Sequence, residues 1–251
     1  MNFQHRKRLI LQTINDYGSA EVQELANLLQ TSTMTIRRDL IQLAASGLLY
    51  RTRGGAMNVG LTTDMHRFAN KAAVNAERKD YICQIAAGEI QEGDIIFIDC
   101  GSTVFRLCPF IRNKRITVIT NSLPIAAELM QSDVSINLVG GEVDKDRQAV
   151  HGLVADEHIA RYRANRAFIG AGGISLQNGL STNGEREAST TVAMAQQSEK
   201  TYLLCDSSKL ETDKYVNFAP LSLFTVLVTD NLADADVLAR YRQAGLTVIN
   251  K

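Results

Sequence analysis

Seven short apolar runs, at residues 95–98, 116–119, 134–139, 167–169, 202–205, 225–228 and 247–249, are separated by segments of helical periodicity. Near-continuous apolar runs of this length suit strands buried on both faces, and helices between them supply the covering layers. The expectation is an α/β domain built on a mostly parallel sheet. The segment ERKDYICQIAAGEI leads into it, with a helical stripe of Tyr81, Ile82, Ile85, Ala86 and Ile90 closed by Gly93. At 251 residues the chain has room for this domain over 76–251 and a smaller one over 1–57. Between them, residues 58–75 mix polar and small side chains without a sustained apolar period and read as a linker, with a short helix around 66–75.

The smaller domain reads as helices followed by a hairpin. Residues 6–17 carry Leu9, Ile10, Thr13, Ile14 and Tyr17 on one stripe and stop at Gly18, and residues 21–30 bury Val22, Leu25, Ala26 and Leu29. In STMTIRRDL, Ser32 can cap a third helix by accepting the Thr35 N–H. Ile36, Leu40 and Leu43 then face inward, while Met34, Arg38 and Ile41 face outward with Thr35 and Arg37 on the flanks. Gly47 ends that helix, and LLYRTRGGA reads as a β-hairpin wing with Arg51 and Arg53 exposed and Gly54-Gly55 turning at positive φ. An arginine-bearing helix that follows a shorter one is the pattern of a helix that enters the DNA major groove. Candidate DNA contacts are Thr33, Thr35, Arg37, Arg38, Arg51 and Arg53.

Charge is distributed to match. The chain has 27 basic and 27 acidic residues, which by itself argues against a nucleic-acid partner. Residues 1–57 hold seven basic against four acidic residues, net +3, and the remainder twenty against twenty-three, net −3. Phosphate affinity is thus concentrated in the small domain. No run approaches the roughly 18 apolar residues of a membrane span, and the basic start leads into an amphipathic helix rather than a signal peptide. Cys83, Cys100, Cys108 and Cys205 lie far apart, which suits reduced thiols in a cytoplasmic protein. Neither they nor His5, His66, His151 and His158 have metal-ligand spacing, so no metal or cofactor is expected.

The loops after the apolar runs share one chemistry. IIFIDCGST supplies Asp99, Gly101, Ser102 and Thr103 ahead of a helix near Val104, ITNS supplies Asn121, and LVGGE supplies Gly141. FIGAGGIS adds a glycine cluster, and LLCDSSK adds Asp206 and Lys209. Any one such loop is ordinary turn chemistry. Five in one α/β domain point to a ligand pocket at the carboxyl ends of the strands. Hydroxyls, backbone amides and Lys209 suit a phosphate, and Asp99 and Asp206 suit sugar hydroxyls. Glu185, in NGERE, reads first as a helix N-terminal carboxylate and second as a pocket residue.

The segment INDYGSAEVQELANLLQTSTMTIRRDLIQLAASGLLYRTRGGA resembles the winged helix-turn-helix of DeoR-type bacterial transcriptional repressors, through TIRRDL, ELA and GGA in order and spacing. It departs from that pattern at Thr31, usually apolar, and at Arg53, often histidine. DCGST, TNS, GGE, GAGGIS, GLST and DSSK resemble the effector domain of the same family, itself similar to ribose phosphate isomerases. The resemblance implies a homo-oligomeric repressor of a carbohydrate catabolic operon that is released from operator DNA by a sugar phosphate. It carries over Asp99, Gly101, Ser102, Thr103, Asn121, Gly141, Asp206 and Lys209 as effector-binding positions, with no catalytic residue. Two other functions rank below it. An isomerase with an added DNA-binding head would use the same carboxylates for acid–base work, and an architectural DNA binder would need no pocket.

Overall fold

Ile10, Ile14, Leu25, Ile36, Leu40 and Leu43 meet in one buried core, because three helices each turn residues spaced by three or four toward a common centre. These helices are α1 (Phe3–Tyr17), α2 (Val22–Leu28) and α3 (Thr33–Ala45). The computed structural model describes residues 2–17, 19–52, 54–57, 68 and 71–251. It divides into two units, Met1–Asn75 and Ala76–Lys251.

In the first unit, α3 starts where Ser32 Oγ accepts the Thr35 N–H at 3.1 Å. It ends at Gly47, whose φ of +69° lets the Gly47 and Leu48 N–H groups reach the Ala44 and Leu43 carbonyls. Helix α2 is shorter than residues 21–30, because Glu21 closes strand β1 (Ser19–Glu21) and shares a capping box with Glu24. Tyr17 is 80 % exposed, contrary to its place in the expected stripe. Three residues beyond Ile14 it is rotated about 60° off the buried line.

The wing pairs β2 (Tyr50–Arg51) with β3 (Gly55–Met57), Tyr50 facing Met57 and Arg51 facing Ala56. β3 also pairs with β1, so it is the middle strand of a three-stranded sheet. Gly55 does not take the positive φ expected of it. The Thr52 N–H donates to the Gly55 carbonyl and its hydroxyl accepts the Gly55 N–H, both at 3.0 Å, which holds the bend. Glycine is needed for another reason: a Cβ there would lie 2.1 Å from the Ala20 carbonyl oxygen. Gly55→Ala should therefore part β1 from β3 and cost about 2–4 kcal/mol, the upper range for one substitution. A wild-type urea midpoint would contradict it. Gly18, Arg53 and residues 58–67, 69 and 70 lie outside the described residues, and with them most of the expected linker. Of the expected helix around 66–75, Phe68 and residues 71–73 are helical.

In the second unit, Ile96, Ile98, Val118, Phe168, Tyr202, Leu204, Val226 and Val228 pack in one buried cluster. Phe97, Ile119, Ala167, Ile169, Leu203, Cys205 and Leu227 pack in another. Successive residues of a strand point to opposite faces, so this division buries both faces of one sheet. The sheet runs β15-β14-β12-β9-β4-β5-β6, and every neighbouring pair is parallel. Its strands are β4 (Ile95–Ile98), β5 (Thr117–Thr120), β6 (Ser135–Leu138), β9 (Ala164–Gly170), β12 (Ser198–Leu204), β14 (Val226–Val228) and β15 (Thr247–Ile249). Each corresponds to one of the seven apolar runs.

The helix that opens this unit, Ala76–Gly88, stops before Gly93, which sits in the turn ahead of β4 with φ +85°. Its buried line is Lys79, Ile82, Cys83 and Ala86, with Tyr81 and Ile85 only half-buried. Antiparallel pieces were not legible as strands. β7 (Glu142–Asp144) pairs with β8 (Ala149–His151), and β10 (Gly173–Ser175), β11 (Gly179–Thr182) and β13 (Val216–Ala219) form a small sheet. Strands of three or four residues are too short to carry a usable period.

Candidate functional site

On the first unit, the capped start of α3 presents Thr33 and Thr35 half-buried and Arg37 and Arg38 exposed. The Thr35 hydroxyl lies 2.9 Å from the Ser32 hydroxyl, so it belongs partly to the cap. Among the described residues neither Arg37 nor Arg38 enters an ion pair, which leaves both guanidinium groups for phosphate or a base edge. Arg51 is exposed on β2. Asp39, between the arginine pair and the core, is buried and receives two bonds from Arg6, at 2.5 Å from Nε and 3.0 Å from Nη2. Arg6 thus tethers α1 to α3 and contributes less to the basic surface than its charge suggests.

On the second unit, strands β4, β9 and β12 are neighbours, so the loops beyond their carboxyl ends converge. Asp99 is buried, and its two carboxylate oxygens accept the Gly101 N–H at 2.7 Å and the Gly170 N–H at 2.9 Å. It therefore clasps two loops together. Burial outweighs those two bonds and pushes its carboxyl up to about 7. Asp99→Asn would set an amide N–H against one of the two backbone donors. It should cost about 1–3 kcal/mol, read as a lowered melting temperature, and an unchanged one would remove Asp99 from this clasp.

Ser102 receives a bond from Lys79 Nζ at 3.3 Å, and Lys209 Nζ donates to the Ala171 carbonyl at 2.9 Å. Asp206 caps the turn Ser207–Lys209, accepting the N–H and hydroxyl of Ser208. Arg78 Nη1 reaches the Ser207 hydroxyl at 3.4 Å. Burial, then the nearby charge of Lys209, holds the Lys79 ammonium down to about 8. Thr103 is buried with its hydroxyl unpartnered among the described residues. The helix expected near Val104 begins as a single 3-10 turn, Val104–Leu107, too short to supply much of a helix field. The gathering of Ser102, Thr103, Asp206 and Lys209 also contains Lys79, a residue outside every motif. An i, i+3, i+4 line with Ile82 and Cys83 was its one available signal.

Asn121 and Gly141 pack against β8. Asn121 Nδ2 donates to the Val150 carbonyl at 3.0 Å, and the Asn121 backbone carbonyl accepts the Val150 N–H at 2.8 Å, which fastens β8. Gly141 has φ +146°, and a Cβ there would approach the His151 carbonyl oxygen to 2.9 Å. Its glycine meets a steric need where the chain enters the β7–β8 hairpin.

A second charged group adjoins Asp99. Arg147, in the β7–β8 connection, bonds Glu187 in the first turn of the Glu185–Gln196 helix, and Thr182 donates to the same carboxylate. The Cys100 thiol, which burial raises to about 12, lies 4.0 Å from His151 Nε2. His151, buried nearby, lies 3.3 Å from the Thr190 hydroxyl, and burial followed by Arg147 pushes its pKa down. An open cleft beside this cluster is lined by Arg147, Glu185, Glu187 and Tyr215. Glu185 is exposed at the start of its helix.

A winged helix-turn-helix unit joined to a separate α/β unit with cations and hydroxyls at its strand ends defines a two-part transcriptional regulator. Residues 6–59 match the DeoR-like helix-turn-helix domain and residues 74–231 match the DeoR C terminal sensor domain. The chain belongs to the DeoR family of transcriptional regulators. It is 32% identical over 246 residues to the HTH-type transcriptional regulator GlpR of Haloferax volcanii, covering 98% of this chain and 96% of that one. It is 33% identical to the lactose phosphotransferase system repressor of Streptococcus mutans, over 92% of this chain and 93% of the other. Such relatives are regulators, and the chain is a regulator rather than an isomerase. Ribose 5-phosphate isomerase A from Methanocaldococcus jannaschii aligns over 54% of this chain and 55% of its own, with 19% identity and a TM-score of 0.40.

Proposed function

We propose that the protein represses a carbohydrate catabolic operon by binding its operator through α3 and the wing, and that a phosphorylated sugar releases it. The observation that carries this reading is the convergence of Lys79, Ser102 and Lys209 at the strand ends of a unit separate from the DNA-binding head. Cations and hydroxyls at such a position suit a phosphate, and carboxylates beside them suit sugar hydroxyls. Paired half-sites on operator DNA call for at least a dimer. Among the described residues no helix is long and apolar enough to cross a membrane, which fits action in the cytoplasm.

An effector can release the protein only by favouring the DNA-incompetent state, ordinarily by about 1–3 kcal/mol. The test is a gel shift on the promoter fragment of the protein's own locus, titrated with sugar phosphates. One sugar phosphate should weaken binding about 5- to 150-fold, and Lys209→Ala should bind the fragment but resist release. Operator binding indifferent to every sugar phosphate would end the effector half of the reading. Failure to bind the fragment at low ionic strength would end the other half.

A further inference from the structure

Strand β6 forms one edge of the seven-stranded sheet, and its sequence, Ser-Ile-Asn-Leu, carries no charge or proline to deter another strand. The Ser135 and Val139 N–H groups bond the Ile116 and Thr120 carbonyls at 2.9 and 2.8 Å, which sets the backbone of Ser135 and Asn137 toward β5. Bonding groups alternate in direction along a strand, so the N–H and carbonyl of Ile136 and of Leu138 point away from the sheet. No bond to them occurs among the described residues. The opposite edge is treated differently. There Arg242 Nη2 donates to the carbonyl of Val248, the middle residue of β15. At β6 the side chains are apolar as well: Leu138 is 41 % exposed, and Ile136, on the same face, is half-buried. Two helices flank this strand. The Leu123–Leu129 helix packs on it, and the Leu153–Ala160 helix brings His158 Nε2 to 3.3 Å from Asn137 Oδ1. Met130 at the end of the first and Leu153 and Val154 at the start of the second are exposed.

We propose that two copies of this chain meet at β6, by antiparallel pairing of the two strands about a two-fold axis at Asn137. This inference rests on the reading that paired half-sites call for at least a dimer, and it names the surface that makes one. The strand itself selects a second copy as its partner. With the axis at Asn137, Ile136 of one copy lies opposite Leu138 of the other, so every outward N–H and carbonyl of both residues is bonded. The same pairing covers the exposed Leu138 with an isoleucine on each side of the axis. An axis at Ile136 would instead call on the Val134 N–H, which already bonds Ser132 Oγ at 3.2 Å. Four residues bury too little alone, because a stable interface takes on the order of 800 Å² from each partner. The helices supply the rest. A two-fold perpendicular to the sheet keeps each face on its own side, and the two flanking helices pack on opposite faces. Like helices therefore meet across the axis, and Met130, Leu153 and Val154 add the apolar area that the strand lacks.

The experiment is sedimentation equilibrium on the full-length protein, with cysteine cross-linking to read the register. Wild type should sediment as a dimer or a multiple of one. Leu138→Pro removes an outward N–H and sets a ring in the path of the second strand. Its dissociation constant should rise at least about tenfold, while circular dichroism shows a native fold. In Asn137→Cys the two introduced residues face each other across the axis with Cα atoms about 4.5 Å apart, a separation that a disulfide spans. Mild oxidation should convert that variant to a covalent dimer. Ser135→Cys places its two copies about 14 Å apart along the strands and should not cross-link. The four native cysteines are buried and give no background. Wild-type association in Leu138→Pro, or cross-linking no greater at 137 than at 135 in an associated protein, would overturn this interface and leave the dimeric reading standing. Should Leu138→Pro not fold, the two cysteine variants decide alone. If the wild-type protein is a monomer both free and on its promoter fragment, the dimeric reading falls and the interface falls with it.

Discussion

Glu187→Ala should lower the unfolding free energy by about 3 kcal/mol, the lower end for a broken buried pair. The carboxylate holds Arg147, whose side chain is 27% exposed, and accepts from the Thr182 hydroxyl. Truncation leaves a mostly buried guanidinium without its counter-charge, and the water that still reaches Arg147 keeps the loss from being larger. Glu187→Gln retains the volume and one acceptor oxygen and should lose much less. Urea denaturation followed by circular dichroism measures both. Equal midpoints for wild type and Glu187→Ala would show that water replaces the carboxylate at no cost.

The same substitution has an electrostatic signature. After burial, the charge of Glu187 is a cause that raises Asp99, while Arg147 lowers it. Removing Glu187 but keeping Arg147 should bring the Asp99 carboxyl down from about 7. The sign for stability follows. A carboxyl raised above its unfolded value of 3.8 contributes stability that is complete below that pH and is lost as pH rises toward 7. In Glu187→Ala the upper end of that window should move to lower pH, which carboxyl-detected NMR of Asp99 would follow. An Asp99 titration unmoved by the substitution would separate the two clusters.

Removing both exposed arginines of α3 is expected to act on DNA and leave stability alone. Each bidentate base contact contributes on the order of 1–3 kcal/mol, so Arg37→Ala with Arg38→Ala should weaken binding to the promoter fragment about a hundredfold or more. Fluorescence anisotropy at fixed salt is the measurement, since phosphate contacts make every such affinity salt-dependent. Arg6→Ala is the contrasting control. Arg6 holds the buried Asp39, so its loss should lower the melting temperature of the head before it alters any DNA contact. An undiminished affinity in the double variant would remove α3 from the interface.

Much of this molecule was legible from residues that are neighbours in the chain. Ser32 and Gly47 bound α3, and Ile36, Leu40 and Leu43 give it a buried side, because capping and helical period act within a few residues. The seven sheet strands were equally plain, since a strand covered on both faces must be apolar without interruption. What stayed hidden are contacts between residues far apart in the chain. Lys79 meets Ser102 across 23 positions and Arg147 meets Glu187 across 40, and neither pairing leaves a local trace. Those meetings follow from packing between elements distant in the chain, the Ala76–Gly88 helix on the Val104–Leu107 turn and the Glu185–Gln196 helix on β8. Gly141 shows the same limit: nothing beside it in the chain tells that the carbonyl of His151 leaves no room for a Cβ there.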